Sequence, residues 1–161
     1  DPDWMHRPDV QWGYEAAVGL DLAFDALGYP IHGENFLRLF ARYPTMRVVI
    51  DHGMKPAIRD NAFEPWARNI TRIATETGAF CKLSGLVTEA RPGWTLEVIE
   101  PYARHITAAF GPERVMWGSD WPVVELAASY DRWMETAERI VGDQGRDRIF
   151  GGTAAEFYRL T

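Results

Sequence analysis

The sequence contains a single cysteine, Cys81, among its 161 residues. An internal disulfide and a cysteine-based metal knuckle are therefore excluded, and this cysteine usage is typical of a reducing cytoplasm. Charges interrupt every hydrophobic run after a few residues, so no segment is expected to cross a bilayer. The first ten residues, DPDWMHRPDV, also lack the apolar region of a signal peptide.

Positive charge is scarce and scattered along the chain. Lys and Arg number 17 against 23 Asp and Glu, which gives a net charge of -6. Because no short stretch is rich in Lys or Arg, nucleic acid and membrane surfaces are poor candidate partners, and a small-molecule substrate is expected. The hydrophobic content of 47% is sufficient for a core, and the length predicts one domain over residues 1–161.

Several signatures of catalytic and binding sites are absent. No G-x-S-x-G motif surrounds Ser84 or Ser119, so an α/β-hydrolase serine nucleophile is not predicted. No glycine-rich phosphate-binding loop occurs. The four histidines form neither an H-x-H nor an H-E-x-x-H pair, so the sequence alone has no recognisable zinc site.

Strand-like and helix-like segments alternate along the chain. Four apolar runs predict strands: LDLAFDALG at 20–28, RVVID at 47–51, AFCKLS at 79–84 and RVMWGS at 114–119. Segments with helical periodicity are 8–18, 33–43, 62–77, 96–110, 126–140 and a last helix from Thr153, where Thr153 and Glu156 resemble a capping box. We interpret the tryptophans on apolar positions as packing residues without a functional role: Trp66, Trp94, Trp117 and Trp133.

This alternation predicts βαβ units around a parallel sheet, either doubly wound or closed into a (β/α)8 barrel of the TIM type. The strand runs begin at 20, 47, 79 and 114, so they are 27, 32 and 35 residues apart. A full barrel takes about 250 residues, or about 31 per unit. Because the chain opens with a helix that should follow an earlier strand, we expect an α/β fold that is the incomplete C-terminal portion of a barrel, with about four to five units.

Polar residues follow two of the predicted strands. Asp51 and His52 end the run at 47–51, and Asp120 follows the run at 114–119. Ligands bind at the carboxyl ends of parallel strands, so His52 and Asp120 are candidates for one proton-transfer site. Taken singly, His52 could be a hydrogen-bonded packing residue and Asp120 a loop cap.

Three further residues are candidates for substrate contact. Lys55 could anchor a ligand, although a lysine before a proline in a loop is usually solvated. Trp121 could form a wall or lid that packs at the rim and also touches the ligand. Ser84 could present its hydroxyl or its backbone amide to a substrate, and the simpler interpretation is a tight turn that leaves the strand.

Four stretches together resemble a known family: VVIDHGMKP, FCKLSGLVTEA, PYARHITAAFGPERVMWGSDWPV and IFGGTAAEFYRL. From about residue 20 to its end the chain is similar to the amidohydrolase-related (amidohydrolase 2) family of TIM-barrel hydrolases. That family includes sugar lactonases such as L-fuconolactonase and, more distantly, 2-pyrone-4,6-dicarboxylate lactonase. The resemblance implies that the strand-end histidine and the late-strand aspartate, here His52 and Asp120, belong to the active site.

The chain also departs from the family pattern. Family members usually begin with a strand that ends in His-x-His, which this chain lacks, so the resemblance implies that an N-terminal half of the barrel is missing. It implies no cofactor or one divalent metal such as zinc, with His52 and Asp120 as the candidate ligands. Val123 stands where the pyrone-dicarboxylate enzymes look more polar, which favours a neutral sugar lactone as substrate.

We therefore expect hydrolysis of a lactone or related cyclic ester. In this mechanism Asp120 activates water as a general base, and His52 polarises the carbonyl. A decarboxylase or hydratase of the same superfamily is the second hypothesis. The third is a catalytically inactive half-barrel that needs a partner chain, which would be a homo-oligomer or the N-terminal half of the barrel.

Overall fold

A computed structural model of the chain describes residues 2–160, in which four short strands alternate with helices. The strands are β1 (Ala23–Ala26), β2 (Arg47–Ile50), β3 (Phe80–Leu83) and β4 (Val115–Trp117). The α-helices in these residues are α1 (Pro8–Gly19), α2 (Gly33–Arg42), α3 (Glu64–Glu76), α4 (Leu86–Glu89), α5 (Leu96–Phe110), α6 (Tyr130–Val141) and α7 (Thr153–Tyr158). None of them is long and apolar enough to cross a membrane.

The four strands form one parallel sheet in the order β1-β2-β3-β4. Its register pairs Ala26 with Ile50, Ile50 with Cys81, and Leu83 with Trp117. A doubly wound sheet reverses its strand order at a switch point, whereas a TIM-type barrel adds each new strand on the same side. The observed order is therefore that of a barrel segment, as the sequence analysis predicted.

The two faces of the sheet have different coverings. One face packs against the helices in the main core, to which the strands contribute Ala26, Val48, Ile50, Cys81, Leu83 and Val115. The opposite face carries Val49 and Met116, which pack with Phe157 of α7. Because successive strand residues point to opposite sides, Asp25 and Lys82 belong to this second face. In a closed barrel the second face is the interior.

Three of the predicted helices, at 33–43, 62–77 and 96–110, correspond to α2, α3 and α5. Their apolar stripes are buried: Phe36, Phe40, Trp66, Ile70, Ile73, Ala74, Ile99, Ala103, Ile106 and Phe110. Burial of a large side chain of this kind stabilises the fold by about 1.5–3 kcal/mol. These stripes attach the helices to the outer face of the sheet and thereby hold the strand ends in place.

Two details of the helix predictions are wrong. The helix predicted from 126 begins at Tyr130, because the hydroxyl of Ser129 caps it by accepting from the backbone N–H of Arg132 at 3.2 Å. Leu126 lies outside the helix and is 86% exposed. Thr153 and Glu156 do not form a capping box. The chain reaches Thr153 already helical, through the π-helical turn Arg148–Gly152, and the Thr153 hydroxyl donates to the carbonyl of Pro112 at 2.8 Å.

Candidate active site

The carboxyl ends of β2, β3 and β4 bring three of the five predicted site residues together. His52 Nδ1 lies 2.9 Å from the hydroxyl oxygen of Ser84, and His52 Nε2 lies 3.5 Å from Asp120 Oδ1. Both nitrogens of the imidazole therefore face polar groups, one that follows β3 and one that follows β4. The side chains of His52 and Asp120 are 19% and 9% exposed, so the pair is largely shielded from solvent.

A left-handed turn places His52. The backbone φ angles of His52, Gly53, Met54 and Lys55 are 50°, 52°, 61° and 47°. A non-glycine residue pays roughly 1–2 kcal/mol for this conformation, and such residues persist where their surroundings hold them and concentrate at functional sites. Trp66 of α3 helps to stabilise this turn, because its indole N–H donates to the carbonyl of Gly53 at 2.6 Å.

Asp120 also has a left-handed backbone, with φ at 58°. Asp adopts this conformation more readily than most residues. Burial raises the pKa of the Asp120 carboxyl, and the charges of Asp51 and Glu89 act in the same direction, while His52 and Lys55 oppose them. A carboxylate with a raised pKa is a stronger base at neutral pH, which suits the activation of water.

Two buried tryptophans have a role that the sequence analysis missed. Trp66 and Trp133 are both fully buried, which confirms their interpretation as packing residues. Each also donates its indole N–H to a carbonyl beside the site, Trp66 to Gly53 at 2.6 Å and Trp133 to Gly118 at 3.0 Å. A buried indole N–H needs a hydrogen-bond acceptor. A tryptophan in the helix that follows a polar strand end therefore indicates a hydrogen bond to the backbone beside that strand end.

A charged network on the second face was also missed. Lys82 Nζ lies 2.5 Å from Asp25 Oδ2 and 3.1 Å from Asp51 Oδ1. Asp51 Oδ2 in turn lies 3.4 Å from His52 Nε2, so the network reaches the candidate site. The phenol of Tyr158 donates to Asp25 Oδ1 at 2.8 Å. The sequence feature that indicates this network is a charged residue between apolar neighbours in a strand: Asp25 in FDA and Lys82 in CKL.

The three predicted substrate contacts, Ser84, Lys55 and Trp121, differ in exposure and in their partners. Ser84 is 1% exposed and its hydroxyl contacts the imidazole of His52, while its contact with a substrate stays a prediction. Lys55 is 21% exposed, and its ammonium pairs with Glu89 Oε1 of α4 at 2.5 Å. Trp121 is 65% exposed, and its indole N–H donates to Glu125 Oε1 at 3.2 Å.

The donor set for a metal is incomplete. A catalytic zinc ion takes three protein ligands, and a structural one takes four. Within residues 2–160 no group of three or more His, Cys, Asp or Glu side chains is arranged to hold a metal ion. His52 Nε2 and Asp120 Oδ1 are the two donors that the sequence analysis named. The described residues by themselves therefore do not fit a zinc site.

A cavity of about 560 Å³ lies at the other end of the sheet. It is lined by α2, α7 and the first residues of β2 and β3, including Arg47 and Phe80. The candidate residues instead follow the last residues of their strands. Since ligands of parallel α/β folds bind at the carboxyl ends of the strands, the candidate site is the cluster around His52 and Asp120 and not this cavity.

Comparison with known proteins places the chain in a family. A family model described as Amidohydrolase matches residues 2–160. The chain is 41% identical to L-fucono-1,5-lactonase of Burkholderia ambifaria, over 99% of this chain and 58% of that protein. It is 37% identical to L-fucono-1,5-lactonase of Burkholderia multivorans, over 87% of this chain and 52% of that protein. The chain thus spans just over half the length of these curated relatives.

Solved structures agree with the sequence matches. A crystal structure of an amidohydrolase from Burkholderia multivorans with bound zinc has a TM-score of 0.92 and 34% identity to this chain. The match covers 99% of this chain and 60% of that one. The predicted resemblance and the predicted partial barrel are both confirmed. The chain belongs to the amidohydrolase family and has the fold of part of its TIM barrel.

Proposed function

We propose that residues 1–161 form one unit, the C-terminal portion of a barrel enzyme that hydrolyses a lactone. The observation that carries the proposal is the 3.5 Å approach of His52 Nε2 to Asp120 Oδ1 at the carboxyl ends of β2 and β4. The relatives named as L-fucono-1,5-lactonases support the reaction class. A histidine and a carboxylate of raised pKa are the groups that general acid–base hydrolysis of an ester needs.

In the proposed reaction Asp120 removes a proton from water as the water oxygen attacks the lactone carbonyl. The tetrahedral intermediate then breaks its ring C–O bond, and Asp120 returns the proton to the leaving alkoxide. His52 stabilises the oxyanion through its Nε2–H. The hydroxyl of Ser84 supports this role when it donates to Nδ1, because the imidazole proton then resides on Nε2.

For the substrate we propose a neutral sugar lactone. Trp121 and Val123 are 65% and 47% exposed beyond the end of β4, where an apolar rim could contact the C–H face of a sugar ring. Lys55 is already paired with Glu89, so it offers less to an anionic substrate than a free ammonium would. This arrangement favours a neutral lactone over a dianionic pyrone.

We also propose that further strands of the barrel complete the site. Two observations support this: the chain spans 58% of its relative from Burkholderia ambifaria, and within residues 2–160 β1 and β4 are the edges of an open sheet. Those strands would come from an N-terminal half or from a partner chain, and a second copy of this chain is the homo-oligomeric alternative. With a single cysteine in the sequence, the cytoplasm is the location that we propose.

The test is proton release from L-fucono-1,5-lactone by the full-length protein and by its Asp120→Asn variant. We expect hydrolysis by the wild type and a loss of kcat of about 10²–10⁴-fold in the variant, because the general base is removed. A metal-loaded and a metal-stripped sample are assayed in parallel. Wild-type turnover in Asp120→Asn would refute the role of Asp120, and decarboxylation of aromatic acids in place of lactone hydrolysis would favour the second hypothesis.

A further inference from the structure

Lys82 is a charged residue in the middle of a buried strand. Its neighbours in β3, Cys81 and Leu83, are fully buried on the face that packs against the helices. Lys82 points to the opposite face, where its side chain is only 21% exposed. An ammonium group that is held this far from water needs compensating charges, and those charges determine where it lies.

Two carboxylates from neighbouring strands compensate the charge of Lys82. Its Nζ lies 2.5 Å from Asp25 Oδ2 of β1 and 3.1 Å from Asp51 Oδ1 after β2. Burial lowers the pKa of Lys82, but the hydrogen bond to Asp25 and the negative charges of Asp25 and Asp51 outweigh it and raise the pKa above its usual value. Lys82 therefore stays charged at neutral pH.

Tyr158 completes the network on the far side of Asp25. Its phenol donates to both Asp25 oxygens, at 2.8 and 3.0 Å. Burial, together with the hydrogen bond to Asp25, raises the pKa of Tyr158 to about 12, so the phenol remains a donor. Asp25 is thus tied to Tyr158 as well as to Lys82. The contact of Lys82 that lies nearer the candidate site is Asp51.

Asp51 connects this network to the imidazole. Its side chain is 16% exposed, and Oδ2 lies 3.4 Å from His52 Nε2 while Oδ1 faces Lys82. One carboxylate therefore bridges an ammonium and the histidine nitrogen that faces Asp120. Without the ammonium of Lys82, no cation from β3 would balance the charge of Asp51 beside His52 and Asp120. No residue of β3 would then fix the orientation of the Asp51 carboxylate.

We propose that Lys82 is a positioning residue: it fixes the carboxylate of Asp51, and Asp51 holds the ring of His52 toward Asp120. The inference rests on the proposed function of this site. Lys82 acts through Asp51, and contact with the substrate is not part of the role. The competing explanation is that Lys82 only braces the sheet against α7 through Asp25 and Tyr158.

A double-mutant cycle on the full-length protein separates these explanations. We expect Lys82→Met to lower kcat by about 10–100-fold with little change in KM, which is the usual cost of losing an outer support. In an Asp51→Asn background the same substitution should cause little further loss, because its effect passes through Asp51. Multiplicative losses in the double variant would overturn the proposal. Lys82→Gln replaces Lys82→Met if the latter does not fold.

Asp25→Asn is the matched control, because it removes the other carboxylate partner of Lys82. If Lys82 acts through Asp51, Asp25→Asn should lower the Tm while changing kcat less than Lys82→Met does. If Lys82 only braces α7, the two variants should lower kcat equally, and the proposal would be wrong.

A second measurement does not depend on any lactone. The ¹⁵N chemical shifts of the His52 imidazole, assigned by their loss in His52→Gln, report its tautomer and hydrogen bonding. We expect Lys82→Met to change them in the substrate-free protein. Unchanged shifts in a folded variant would contradict the positioning role, whereas a wild type that hydrolyses no lactone but shows the change would contradict only the proposed function.

Discussion

The imidazole of His52 lies directly against the backbone of Gly85. A Cβ built on Gly85 would come within 2.6 Å of His52 Nδ1, closer than real side chains allow. Gly85 also has a φ of 64°, which glycine adopts without cost. The strand ends of β2 and β3 approach this closely because position 85 has no side chain, and that approach also brings Ser84 to Nδ1.

Replacement of Gly85 by Ala is therefore expected to displace His52. The added methyl group would push the ring away from Ser84 and Asp120, so we expect kcat to fall by at least about 10-fold. Backbone strain should lower the free energy of unfolding by about 1–3 kcal/mol. Steady-state kinetics and thermal unfolding of the variant measure both effects.

The control for this prediction is Gly111→Ala. Gly111 has a similar φ of 69°, but nothing lies within 4 Å of its Cβ position. Gly111 has a ψ of 165°, in a region that is almost exclusive to glycine, whereas Gly85 has a ψ of 8°. We therefore expect a loss of stability at least as large as in Gly85→Ala, with kcat nearly unchanged, because Gly111 precedes β4 at the other end of the sheet. Equal kcat in Gly85→Ala and Gly111→Ala would show that contact with His52 does not matter.

Trp133→Phe tests the anchoring of the Asp120 loop. The substitution removes the N–H that donates to Gly118 O at 3.0 Å and leaves that carbonyl without this partner. We expect a loss of about 1–3 kcal/mol in stability. We also expect a lower kcat, because Gly118 fixes the backbone two residues before Asp120. Chemical denaturation and steady-state kinetics measure the two effects.

Trp94→Phe provides the comparison for Trp133. Its indole N–H donates to the carbonyl of Ala127 at 3.1 Å, seven residues after Asp120. We expect a similar loss of stability and a smaller loss of kcat than in Trp133→Phe. If both variants lose kcat equally, the effect of Trp133 is general destabilisation and not the positioning of Asp120.

The sequence was sufficient to predict the pairing of His52 with Asp120. Both residues follow apolar runs, and the carboxyl ends of parallel strands lie at one edge of the sheet. The alternation of strands and helices, together with the position of each residue after its strand, is therefore enough to predict that they lie close together. The same reasoning predicted that Ser84 follows a strand. It did not predict that the Ser84 hydroxyl faces His52, because this depends on the left-handed backbone of His52 and the missing side chain of Gly85.

The Lys82 network could not be predicted in this way. Asp25 and Lys82 are 57 residues apart in the chain, and they pair across β2 because β1, β2 and β3 are neighbours in a fixed register. One sequence does not give the register that sets this pairing. The capping pattern at Thr153 failed for a similar reason, since a contact with Pro112, 41 residues away, takes up its hydroxyl.

Ser84→Ala should alter the tautomer of His52. The variant removes the oxygen that lies 2.9 Å from Nδ1. In the proposed reaction this hydroxyl donates to Nδ1, so without it the imidazole proton is no longer confined to Nε2. We expect kcat to fall by about 10-fold with little change in KM, and we expect the ¹⁵N shifts of the imidazole to change. Ser119→Ala is the control, because the Ser119 hydroxyl accepts only from the backbone N–H of Trp121 among the bonds seen in residues 2–160.

Asp120→Asn should make the protein more stable at neutral pH while it removes activity. Burial raises the pKa of Asp120, which means that folding disfavours the ionised carboxylate relative to the protonated one. Stability from this group therefore increases as the pH falls through its folded pKa, and at pH 7 the charge opposes folding. Asn is neutral at every pH and tolerates the φ of 58° at this position.

The difference in Tm between Asp120→Asn and the wild type should thus depend on pH. We expect a higher Tm for the variant at pH 7, and a smaller difference as the pH falls toward the ordinary Asp pKa of about 3.9, where the wild-type carboxyl is protonated in the folded state as well. Thermal unfolding of both proteins across this range measures the difference. A lower Tm for the variant at pH 7 would mean that the attraction of Asp120 to His52 and Lys55 outweighs its burial, and Asp120 would then be a structural ion-pair partner rather than a base of raised pKa.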